Sequence, residues 1–127
     1  PGFLEHTVPE AEWFAHEEHQ LFHDLYGVSV FRDSLWLWGQ KENAGTRAVI
    51  VRRDASDREV IDAMIKDEAA SEFIRDNVSY FRDVIDRRGA ELIDRGYDDV
   101  VRRVRQVLAL AELLGAGRRD EGEAVTA

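Results

Sequence analysis

"VSVFRDSLWLWGQKENAGTRAVIVRR", residues 28–53, holds three runs with the length and composition of β-strands. "VSVFR" (28–32) alternates, "SLWLWGQ" (34–40) is apolar on both faces, and "TRAVIVRR" (46–53) is β-branched and arginine-flanked. Branched and aromatic side chains pack well on a pleated surface, and successive strand side chains point to opposite faces. The "KENAG" link, residues 41–45, has hairpin length and ends in glycine. These runs predict a small antiparallel β-meander over about residues 28–53.

Helical patterns flank the meander. Before it, residues 1–8 read as an extended lead-in, and a helix is expected from Pro9 to Tyr26. Proline suits a first turn, Glu10 and Glu12 favour the positive end of the helix dipole, and Gly27 is a natural stop. After it, Ser56 and Glu59 form an S-x-x-E capping box ahead of Val60, Ile61, Met64 and Ile65. The helical pattern continues to about Arg88, with a break expected near Ala70-Ser71. Gly89 and Gly96 bracket a short segment, and a last helix is expected from Asp98 to Leu114, stopping at Gly115. The expected fold is α+β, with an N-terminal helix, the meander and a C-terminal helical layer. One domain is expected over residues 9–115, with 116–127 a disordered tail.

Composition narrows the function. The 127 residues suit one domain, and no run of eighteen apolar residues marks a membrane span. The net charge of −9 opposes direct binding to nucleic acid or to an anionic membrane. With no cysteine there is neither a disulfide nor a thiolate ligand, which fits a cytoplasmic setting. The opening Pro1-Gly2, without methionine, reads as a trimmed start. There is no phosphate-binding glycine loop, no G-x-S-x-G and no dinucleotide fingerprint, so the reading leans away from an enzyme.

"WFAHEEHQLFHDLYG", residues 13–27, carries the densest candidate chemistry. At about 100° per residue, Glu12, His16, His19 and His23 fall within an arc of roughly 60° on the expected helix. Neutral imidazoles at i, i+3 and i+4 are able to chelate a divalent transition metal, zinc or iron, with a carboxylate as a further donor. One straight helix cannot surround an ion, so further ligands must come from elsewhere. "HEEHQLF" resembles the His/Glu helices of hemerythrin-type di-iron bundles, which take further histidines from other helices. This chain has no histidine after His23, and the family is not adopted. Surface polarity is the bland reading of the same stripe. Glu18 stands in the apolar arc beside Phe14, Leu21, Phe22 and Leu25, where a carboxylate needs a partner.

Two further groups bear on function. Trp36, Trp38, Phe73 and Tyr80 are candidate walls of a small-molecule pocket between sheet and helices. Arg52 and Arg53, and Arg102, Arg103 and Arg105, are expected on salt-linked faces with the aspartates near them in sequence. The apolar arcs of residues 73–85 and 107–114 look wider than a small monomer needs. They suggest a homo-oligomer, or docking onto another domain, with Val107, Leu110, Leu113 and Leu114 at the interface. The leading expectation is thus a non-catalytic regulatory or protein-interaction domain of sensor type. The alternatives are a metal-binding sensor or hydrolase using the histidine stripe and, more weakly, a small-molecule binder.

Overall fold

The computed structural model describes the backbone of residues 4–7, 27–31, 33–41 and 45–126, and the side chains of 27–30, 33–39 and 47–117. The meander forms as expected. Strands β2 (Gly27–Phe31), β3 (Ser34–Lys41) and β4 (Gly45–Arg52) pair antiparallel in sequence order. The register runs from Phe31↔Ser34 to Gly27↔Trp38 in one pair and from Ser34↔Arg52 to Lys41↔Gly45 in the other. The lead-in is not merely extended: β1 (Leu4–Thr7) joins the sheet, pairing Leu4 with Ile50 and Thr7 with Arg47. The sheet therefore has four strands in the order β1-β4-β3-β2. "LEHT" is too short to show a period of two, yet it pairs along β4, which would otherwise stand as an open edge. The helix expected over residues 9–26 lies outside the described residues.

Both faces of the sheet are buried. Val28, Val30, Leu35, Leu37, Val49 and Val51 point to one side and join a single apolar core with the helices. Trp36, Trp38, Ala48 and Ile50 form a second cluster on the opposite side, where the Trp38 indole N–H donates to Ser29 Oγ at 2.9 Å. This is why "LWLW" lacks a polar face.

Four helices follow β4 among the described residues: α1 (Asp57–Lys66), α2 (Glu68–Asp76), α3 (Val78–Asp94) and α4 (Asp98–Thr126). The capping box is formed in both directions. Ser56 Oγ accepts from the Glu59 N–H, and the Glu59 carboxylate accepts from the Ser56 N–H. The break expected near Ala70-Ser71 falls at Asp67 instead, because its carboxylate accepts from the Ala70 N–H and so starts a new helix. Ser71 then bridges the break by donating to the Met64 carbonyl at 2.7 Å, in a fully buried setting. A second break at Asn77 had no sequence signal. There the side-chain amide donates to the Phe73 carbonyl at 2.9 Å.

The glycines divide into two kinds. Gly96, at φ 87°, ends α3 in a Schellman motif: its N–H donates to Ile93 and the Tyr97 N–H donates to Leu92. Gly89, expected as a boundary, lies buried inside α3. Gly115, expected to stop the last helix, lies inside α4, which continues through the segment expected as a tail to Thr126. Arg75 from α2 crosses α4 at this point, and a Cβ on residue 115 would overlap Arg75 Cδ. Gly115 serves close approach between helices rather than chain reversal.

Candidate interaction surface

Helix α4 has an inner and an outer face. Val100, Val104, Val107, Leu108 and Ala111 are buried in the core, whereas Arg102, Arg105, Ala109, Leu113, Ala116 and Gly117 are exposed. Of the four expected interface residues, Val107 is 0% exposed and belongs to the core. Leu110 and Leu114 are half-buried against that core, and Leu113 alone projects, at 69% exposure. The four are thus not one outward face. The wide arc of residues 73–85 is likewise used inside the molecule: Phe73, Ile74, Phe81, Val84 and Ile85 are all buried. Phe73 and Phe81 meet at 6.2 Å between ring centres, tilted by 59°. Among the described side chains, the large apolar ones left exposed on the helices are Ile61 and Ile65 on α1, Ile93 on α3 and Leu113 on α4.

The four candidate pocket walls do not line one space. Trp36 and Trp38 lie behind the sheet, while Phe73 and Tyr80 belong to the helical side. Tyr80 instead borders an open cleft of about 170 Å³ with Asp83, Val84, Arg87 and Arg88. These positions form one stripe of α3, and Arg87 there is held by Asp83 one turn back, at 3.2 Å.

Arg52, Arg53, Arg102 and Arg103 meet at one corner, with partners drawn from across the chain. Arg52 is held by Asp54 at 2.6 Å, as the local sequence suggests. Arg53, however, pairs with Asp99 at the start of α4, and its guanidinium lies 4.7 Å from the centre of the Tyr97 ring. Asp57, at the start of α1, accepts from both Arg102 and Arg103, at 3.2 and 3.1 Å. Arg103 is 6% exposed and also donates to the Ala55 carbonyl and to Gln106, each at 2.7 Å. Arg105 is paired with Asp86 at 3.0 Å.

The ionisation of these groups follows their bonds. The hydrogen bond from Arg102 holds the Asp57 carboxyl below its usual value, and the one from Arg52 does the same for Asp54. The bond to Asp99 raises Arg53 further. The gap between Leu35, Arg52, Arg53, Asp99, Val100, Arg102 and Arg103 is about 10 Å³, room for one water molecule at most. The corner clamps the β4–α1 connection to α4. Sequence reasoning found the arginines but not this pairing, since Arg53 and Asp99 are 46 positions apart.

Glu12, His16, His19, His23 and Glu18 lie outside the described residues. Among the described residues, no three His, Cys, Asp or Glu side chains are grouped to hold a metal ion. None of the described helices is long and apolar enough to cross a membrane. Compared with family models, with curated proteins and with solved structures, the chain matches none.

Proposed function

We propose that this is a protein-interaction domain of the regulatory, non-catalytic kind, acting in the cytoplasm and self-associating through its last helix. The observation that carries the reading is Leu113, a large apolar side chain left 69% exposed on a helix whose opposite face is locked into the core. A rigid helix presenting an apolar side chain loses little conformational freedom when a partner covers it. The corner arginines fit this reading too, because each is engaged by an aspartate of the same chain. Their charge thus serves the fold first.

Sedimentation at high micromolar concentration tests the proposal. The expected result is a dimer for the native chain and a monomer for Leu113→Glu, with unchanged circular dichroism. A single native boundary at monomer mass overturns self-association. A Leu113→Glu chain that remains dimeric moves the contact away from α4.

The histidine stripe supports a second reading, a metal-binding sensor or hydrolase in which Glu12, His16, His19 and His23 contribute ligands to zinc or iron. Its support is the 4-3-4 spacing of those residues. Metal content, measured on protein purified without chelators or nickel resin, decides it. Stoichiometric metal that is lost on changing His16 and His19 to Ala favours a metal centre. Absence of metal, with no thermal shift on adding zinc or iron, removes that reading.

A further inference from the structure

We draw no further inference here: the strongest candidate, the surface patch of α4 where Leu113 projects between the exposed Ala109 and Ala116, carries nothing beyond the self-association already proposed, because nothing in the structure shows what covers it.

Discussion

Arg53 grips Asp99 with two parallel hydrogen bonds, Nε to one carboxylate oxygen and an Nη to the other, both at 3.0 Å. The pair ties the end of β4 to the first turn of α4, and the Tyr97 ring stacks beneath the guanidinium. Asp99 also sits where a negative charge favours the helix dipole.

The clasp is a two-pronged arginine–carboxylate pair at a partly exposed site, so its contribution is real but modest. Arg53→Ala and Asp99→Ala are each expected to lower stability by about 1 kcal/mol, and the double variant by less than their sum. Urea unfolding of the three variants measures the coupling, and strict additivity would show that the contact contributes nothing.

Acid should weaken the fold through the same corner. Asp54 and Asp57, ordinarily near 3.8, and Glu59, ordinarily near 4.5, are all lowered in the folded chain. For Glu59 the first cause is the hydrogen bond from the Ser56 N–H, and for the aspartates it is their arginine partners. A lowered folded value means that the stabilisation is complete above the unfolded value and is lost as pH falls through the folded one. Stability from these groups is thus expected to be flat from neutral pH to about 5 and to fall below it. Asp57→Asn should make the acid limb shallower in a series of melts from pH 7 to 3. An unchanged limb would mean that Asp57 is no more strongly engaged in the folded chain than in the unfolded one.

Gly115 and Arg75 should be coupled. Alanine is the better helix former by about 1 kcal/mol, yet at 115 its Cβ would overlap Arg75 Cδ, so the arginine end must move aside. Gly115→Ala is therefore expected to gain less than the full propensity difference. In an Arg75→Ala background, the same change should stabilise by about 1 kcal/mol. Arg75 Nη1 is buried without a hydrogen-bond partner, so shortening this side chain alone should cost little. Thermal unfolding of the four chains measures the coupling, and equal effects of Gly115→Ala in both backgrounds would show that Arg75 does not crowd position 115.

Val107 and Leu113 should separate core from surface. Val107→Ala removes methyl groups from a fully buried site, with an expected loss of about 2 kcal/mol. Leu113→Ala, in dilute solution where the chain is monomeric, should change stability by less than about 0.5 kcal/mol. Equal losses at both positions would contradict the division of α4 into inner and outer faces.

Much of this architecture was legible locally. Alternation and branching in residues 28–53 located three strands to within a residue or so, and Ser56 with Glu59 marked a helix start that forms as written. Such features depend on neighbours within a turn or a hairpin, so a linear pattern contains them. The apolar positions of the last helix were legible for the same reason.

Other features depended on distant partners. "LEHT" is a strand because β4 offers it an edge, and Gly115 lies within a helix where Arg75 crosses close to it, as Gly89 lies buried within α3. In sequence both glycines resemble Gly96, whose positive φ does end a helix. Which leucines face outward, and that Trp36 and Tyr80 lie on opposite sides of the sheet, followed only once the helices had chosen a face. The sequence by itself determined three strands, the starts of α1 and α4 and which residues are apolar, because propensity, capping and periodicity are short-range. Tertiary structure decided which apolar surface stays exposed, because burial is shared among elements tens of residues apart.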